Sequence, residues 1–296
     1  SHANRTGIRL DGPKPTWSRP DGGEAGLHPS NLHDNPYSVG ALNVSGDTPI
    51  LLGPDGPSLG GFACPLTVVS AHRWKMGQIR PGDAVRFVPV PDADADALRR
   101  SDEKRSKDVP AVQISRGDGG VLARTDEGDD RSAVAYLRAG DDNVLVEYGP
   151  MALDLGLRMR VHALSEALAQ TRVPGLIDVT PGVRSLHLHF DPDVLPQYRI
   201  LGLLQELEDQ LPATHDLVVP SRTVRLPLSF DDPSIAEALD RYRSGVRESA
   251  PWLPSNTEFI RRINGFDSVD DVRTAVFDAE NLVLGLGDVY LGAPLA

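Results

Sequence analysis

Sulfur and aromatic side chains are scarce in this 296-residue chain: one cysteine, Cys64, three methionines, and aromatics at 5%. A single thiol cannot close an internal disulfide, so a disulfide-stapled secreted scaffold is excluded. No stretch approaches the ~18–20 consecutive apolar residues that span a bilayer, and Ser1-His2-Ala3-Asn4 carries no signal-peptide pattern. Basic residues are the minority, 30 Lys and Arg against 42 Asp and Glu, for a formal charge of −12. A surface that acidic repels phosphate backbones, which argues against nucleic-acid binding and against docking on anionic membrane. A cytoplasmic protein with no nucleic-acid and no membrane partner is expected. Gly-x-x-x-x-Gly-Lys-Ser/Thr and a strand-linked Gly-x-Gly-x-x-Gly are both missing, so neither an ATP nor a dinucleotide cradle is encoded.

What remains is ordinary globular composition, 40% hydrophobic and 24% charged, long enough for two domains of ~100–200 residues. Over residues 1–90, clusters such as Asp11-Gly12-Pro13 and Gly53-Pro54-Asp55-Gly56-Pro57 punctuate short apolar runs at Ile50–Leu52, Phe62–Val69 and Ala84–Val90. Short strands joined by turns give that pattern, and a β-barrel module is expected. Residues 91–135 carry mixed charge and few large apolar groups, which predicts a mobile linker.

The block 136–220 changes rhythm. Val144–Tyr148 predicts a strand, and Leu157, Val161, Leu164 and Leu168 recur at helical spacing. Two strands follow at Leu176–Val179 and Ser185–Phe190, the second with Leu186, Leu188 and Phe190 on one face. Ile200, Leu203, Leu204, Leu207 and Leu211 mark a second helix, and Val224, Leu226, Leu228 and Phe230 alternate as a fourth strand. That β-α-β-β-α-β order is the ferredoxin-like unit. Within 221–296, helix starts are expected at Asp232-Pro233, at a capping box Ser255–Glu258, and at its relative Ser268–Asp271. Gly285–Gly292 has the look of a mid-sheet strand, so the chain is expected to be a fragment.

Side chains capable of chemistry are few. His187 and His189, two apart on a strand, share a face as metal ligands sometimes do, but no further ligand accompanies them and no metal is expected. Lys75-Met76 lacks the second hairpin of a biotin carrier and reads as a surface lysine. Pro29-Ser30-Asn31-Leu32-His33-Asp34-Asn35 concentrates hydrogen-bonding groups. These residue types dominate tight turns, and composition alone favours a turn. An amide, a carboxylate and an imidazole on a rigid turn also suit a small planar ligand rich in N–H and C=O groups. Gly56–Phe62 reads equally as a strand connection or as a close backbone approach to a ligand with free N–H donors. A second Pro-Ser-Asn at 254–256 has capping work already.

Longer strings go further. Asn4–Leu10, Gly22-Gly23-Glu24, Pro29–Asn35 and Asp55–Phe62 together resemble the carboxyltransferase region of the urea carboxylases, the biotin-dependent enzymes fused to allophanate hydrolase in urea amidolyases. Val146–Met151, Asp178–Leu186, Ala250–Gly265 and Gly285–Pro294 resemble the partner module of that region. The same two modules occur more distantly as allophanate hydrolase subunits 2 and 1, in 5-oxoprolinase components and in sporulation-kinase inhibitors. The resemblance implies an α+β, β-rich chain: a cyclophilin-like β-barrel module over 1–90, a ferredoxin-like lobe over 136–220, and part of a second cyclophilin-like barrel over 221–296. It implies transfer of a carboxyl group from carboxybiotin to urea, giving allophanate. Biotin would ride on a carrier domain absent from this chain, and ATP would be used only at a separate biotin carboxylase domain. Alternatives are a non-catalytic regulatory module, or guanidine in place of urea. It further implies that Ser30, Asn31, His33, Asp34 and Asn35 surround the urea, with Asp34 accepting N–H bonds and His33 as donor or proton relay. Ser58, Gly60 and Gly61 would offer an oxyanion or biotin contact, and Asp288 and Tyr290 would face the same cleft or its pseudo-symmetric twin.

Overall fold

The computed structural model describes residues 3–100, 119–128 and 131–283. They fall into two compact units, one ending at Val219 and one spanning Pro220–Val283. The first unit begins with strands β1 (Gly7–Arg9), β2 (Asn31–Pro36), β3 (Leu42–Ser45), β4 (Thr48–Leu52) and β5 (Leu59–Phe62). They form two small antiparallel sheets, β1-β4-β3 and β2-β5. Leu42, Leu51 and Met76 are buried in one small core, and Tyr37, Ala41 and Leu52 in another. The expected strand Ala84–Val90 is absent, and Val85 and Phe87 stay exposed. Alternation makes a strand possible, but the ladder needs a neighbour to supply its hydrogen bonds, and none is described beside this segment.

Helix α1 (Asp92–Arg100) is followed by β6 (Val121–Thr125), β7 (Val134–Arg138), β8 (Asn143–Tyr148), α2 (Leu155–Gln170), β9 (Leu176–Pro181), β10 (Ser185–Phe190) and α3 (Gln197–Gln210). The expected linker 91–135 therefore contains a helix, a strand and the start of another. α1 has acids in its first turn and arginines in its last, the arrangement the helix dipole favours, while burying only Ala95 and Arg99. The strands form one antiparallel sheet ordered β6-β7-β8-β10-β9. β8-α2-β9-β10-α3 has the predicted order, with β10 between the two strands that α2 connects. The fourth position beside β8 is filled by β7, from before the unit. Residues 224–230 form no strand; Val224, Leu226 and Leu228 are exposed. The helices cover one face of this sheet. Val144, Val146, Leu186, Leu188 and Phe190 meet Val161, Leu164, Ile200 and Leu204 in a core with all nine fully buried, each side chain contributing ~1.5–3 kcal/mol.

The second unit holds α4 (Pro233–Gly245), α5 (Asn256–Asn264) and α6 (Val269–Asp278). Among its described residues there is no strand; the barrel expected over 221–296 takes in residues 284–296, which lie outside them. Asp232 caps α4, with Pro233 in the first turn. Ser255 caps α5 through the Glu258 amide, but the Glu258 carboxylate turns to Arg261, so the reciprocal half of the expected capping box is not made. Ser268 and Asp271 make both halves. Among the described residues, no helix is long and apolar enough to cross a membrane.

Candidate functional site

The heptapeptide is mostly strand. A tight turn is confined to its start, where the Asn31 amide donates to the His28 carbonyl at 2.9 Å, and Arg19 fixes that turn by donating to the Pro29 and Asn31 carbonyls at 2.8 and 2.6 Å. From Asn31 the chain runs along β5, which carries the glycine string, so two motifs singled out separately lie side by side. Their register shifts within the motif: Asn31 faces Phe62, while Asn35 faces Gly60. Leu32, His33 and Asp34 thus stand opposite Gly61 alone, a bulge that removes three residues from the ladder. Bulges of this kind re-aim side chains and recur beside active sites.

The bulge divides the motif. Ser30 is fully buried; its hydroxyl contacts His28 Nδ1 at 2.8 Å and accepts from the Gly46 amide at 3.2 Å. His28 Nε2 lies 3.6 Å from Asp47 Oδ1. The Ser30-His28-Asp47 chain has the residue types of a nucleophile relay, and its hydroxyl is fully buried. Asn31 packs against Gly22 and Gly26, where any side chain would collide with it. Asn35 is buried and accepts a hydrogen bond from Ser185 Oγ at 2.9 Å. Ser58 is exposed, and its carbonyl accepts from the Tyr37 amide at 2.8 Å. His33 and Asp34, inside the bulge, are half-buried, and His33 Nδ1 is a buried nitrogen without a hydrogen-bond partner. Asp288 and Tyr290 lie outside the described residues.

Tyr37, just past the motif, seals this corner. Its hydroxyl accepts from the Phe62 amide at 2.7 Å, and a Cβ on Gly60 would fall 2.7 Å from its ring. Burial, against the opposing Phe62 amide hydrogen bond, holds its phenol well above the usual tyrosine range. Cys64, beside it, is pushed up to about 12 by burial, so it remains a thiol. Two hollows lie elsewhere among the described residues: an open one of about 410 Å³ along Arg243–Glu248, and a small one of about 80 Å³ around Arg131, Tyr136 and Asp209.

The second support of the bulge comes from the polar face of β10. Leu186, Leu188 and Phe190 point to the helices, so Ser185, His187 and His189 point to the opposite face. Each meets a polar partner there: Asn35, then Ser38 Oγ at 3.0 Å from His187 Nε2, then Asp142 Oδ2 at 3.7 Å from His189 Nε2. Asp142 is also gripped by both terminal nitrogens of Arg73, and Asp141 accepts from the Ser70 amide and hydroxyl. The two histidines are therefore part of a polar junction in which His187 is buried and His189 half-exposed. No group of three or more His, Cys, Asp or Glu among the described residues is placed to hold a metal ion.

Residues 1–89 match the sequence model described as carboxyltransferase domain, subdomain A and B, and residues 134–296 match that of subdomain C and D. The chain is 38% identical to a urea amidolyase of Saccharomyces cerevisiae and 39% identical to one of Lachancea kluyveri, with all of this chain and 17% of each of those proteins aligned. It is 34% identical to a putative urea carboxylase of Emericella nidulans, over 26% of that protein. Crystal structures of a K. lactis urea amidolyase and a Kluyveromyces lactis urea carboxylase superpose on 98% of this chain with TM-scores of 0.76 and 0.77, at 39% and 38% identity. The chain spans 17% to 26% of the length of the curated relatives it matches.

Proposed function

The chain belongs to the carboxyltransferase domain family, and from that premise we propose that it carries the acceptor site of a biotin-dependent carboxyl transfer to urea. The observation that carries the assignment is the bulge, which takes His33 and Asp34 out of the β2 ladder opposite Gly61. An imidazole nitrogen lacking an internal partner and a carboxylate complement one C=O and one N–H, the pair that any urea group presents, whether urea itself or the ureido ring of biotin. Biotin, carried by a separate domain and charged with ATP at another, supplies the activated carboxyl group. Urea nitrogen is a poor nucleophile because its lone pair is delocalised, so the residues here would orient it and take its proton as the new N–C bond forms, the carboxyl group's bond to the biotin nitrogen breaking and its electron pair leaving with the biotin ureido group. Asp34 accepts that N–H and binds the proton, His33 relays it or donates to the urea oxygen, and the Gly60-Gly61 backbone meets developing negative charge on oxygen. Ser30, Asn31 and Asn35 hold the strand that presents them. The same reading takes residues 1–90 as a cyclophilin-like barrel module and the β8–α3 run as a ferredoxin-like lobe.

The test supplies biotin carboxylase and biotinylated carrier in trans and measures urea-dependent allophanate formation. Asp34→Ala is expected to abolish it while ATP-dependent carboxylation of biotin continues. Undiminished allophanate formation, or a preference for guanidine or 5-oxoproline over urea in parallel titrations, would dispose of the assignment.

A further inference from the structure

Within the bulge, Leu32, His33 and Asp34 have lost the ladder that fixes an ordinary strand, yet a site built on them requires side chains held to within ~0.5 Å. The holding contacts come from the turn between β9 and β10, about 150 residues away in sequence. The Val183 amide donates to the Asp34 carbonyl at 3.0 Å. Ser185 Oγ, in a residue almost wholly buried, donates to Asn35 Oδ1 at 2.9 Å. At Gly182 a Cβ would fall 2.6 Å from the same Asp34 carbonyl oxygen, so only glycine admits the approach. The turn itself is stiff. The Gly182 amide donates to the Ser185 carbonyl at 2.8 Å, and Arg184 ties the turn to the carbonyls of Tyr148 and Gly149 and to Glu147. Behind it, β10 is anchored by three fully buried side chains, Leu186, Leu188 and Phe190.

We infer that the Gly182–Ser185 turn is a positioning element of the acceptor site: Ser185 acting through Asn35, and Val183 acting on Asp34, set where His33 and Asp34 point. The inference rests on the proposed function for its consequence in turnover, but its structural claim is testable without turnover. Ser185 touches no substrate; it acts only through Asn35.

The experiment compares wild-type chain with Ser185→Ala, Ser185→Thr, Asn35→Ala and the Ser185→Ala/Asn35→Ala double variant. Three quantities are read: the thermal midpoint, hydrogen exchange of the Val183 amide together with the His33 ring and Asp34 carboxyl NMR signals, and the urea concentration that half-saturates allophanate formation with the charged carrier supplied in trans. Loss of one buried hydrogen bond predicts that Ser185→Ala speeds Val183 exchange about tenfold, moves the His33 and Asp34 signals, and raises half-saturation several-fold. Ser185→Thr, which keeps the hydroxyl, is expected to restore all three, and the double variant to be no worse than Asn35→Ala alone. Unmoved His33 and Asp34 signals in Ser185→Ala would overturn the inference, as would additive effects in the double variant. If wild-type chain shows no urea response, the functional assignment falls, while the exchange and NMR comparison still decides the positioning role.

Discussion

Replacing Arg160 by alanine should be among the most damaging single changes in the first unit. Arg160 on α2 is fully buried, and its guanidinium donates through Nε to Glu208 Oε1 at 2.7 Å and to the Pro212 and Glu208 carbonyls. Glu208 is itself buried, and its other oxygen accepts from Tyr148 at 2.7 Å. Arg160→Ala therefore removes three donors and leaves a carboxylate desolvated beside one phenol. Stranding one member of a buried ion pair costs ~3–5 kcal/mol, which for a unit of this size lowers the thermal midpoint by roughly 6–20 °C. Differential scanning calorimetry of the chain at neutral pH reads this directly. The same reasoning requires that Arg160→Met/Glu208→Met together cost far less than the two single changes summed, because no charge is then stranded. A midpoint for Arg160→Ala within ~2 °C of wild type, under a shift of ~1 kcal/mol, would refute the argument that this pair is a stability centre.

Acid should weaken the junction through His187. Burial, then the neighbouring His189, pushes its titration from 6.5 down to about 4, against weaker opposing pulls from Asp142 and Asp178. Below pH ~6.5 the unfolded chain takes a proton that the folded chain refuses until about 4, so this stability is present above pH ~6.5 and is lost as pH falls toward 4, some ~3 kcal/mol in all. His187→Gln, measured by calorimetry between pH 7 and 4.5, is expected to flatten that dependence, and an unchanged slope would count against it. Gly60→Ala places a methyl 2.7 Å from the Tyr37 ring, whereas at Gly61 it meets only the Leu32 carbonyl at 3.1 Å. Gly60→Ala should cost ~1–3 kcal/mol and accelerate exchange of the Phe62 amide, with Gly61→Ala milder; the reverse order would be incompatible with this packing.

The lobe was legible because its periods are clean and its core is deep. Leu186, Leu188 and Phe190 alternate on β10 and are all fully buried, so a two-residue period reported the buried face correctly. Period failed where a partner decides the outcome. Val224, Leu226 and Leu228 alternate as faithfully, yet Leu226 is 80% exposed, and the place beside β8 belongs to β7. α1 is not legible in the apolar pattern because the residues it buries are Ala95 and Arg99, neither of them a large apolar side chain, although its acid-to-base polarity is there to read. The box expected at Ser255 was undone by Arg261, which competes for the Glu258 carboxylate three residues on.

The same limit governs the site. Residue types in Pro29–Asn35 announced imidazole and carboxylate chemistry, but the register with β5 decides which of them leave the ladder, and register is a property of two strands. The polar side chains of β10 show why the deeper support stayed invisible. Ser185, His187 and His189 sit at alternate positions, and polar residues at that period ordinarily mean a face turned to water. Here Asn35 and Ser38 cover Ser185 and His187 and make the hydrogen bonds that water would otherwise make, while Asp142 lies 3.7 Å from the half-exposed His189. A hydroxyl paired with water and a hydroxyl paired with a buried amide have the same letter in the sequence and opposite sensitivity to mutation: the first is replaced at little cost, while the second leaves its partner unpaired. Ser185→Ala is thus a change that pattern alone would score as harmless and that the geometry ranks beside a change in the site itself.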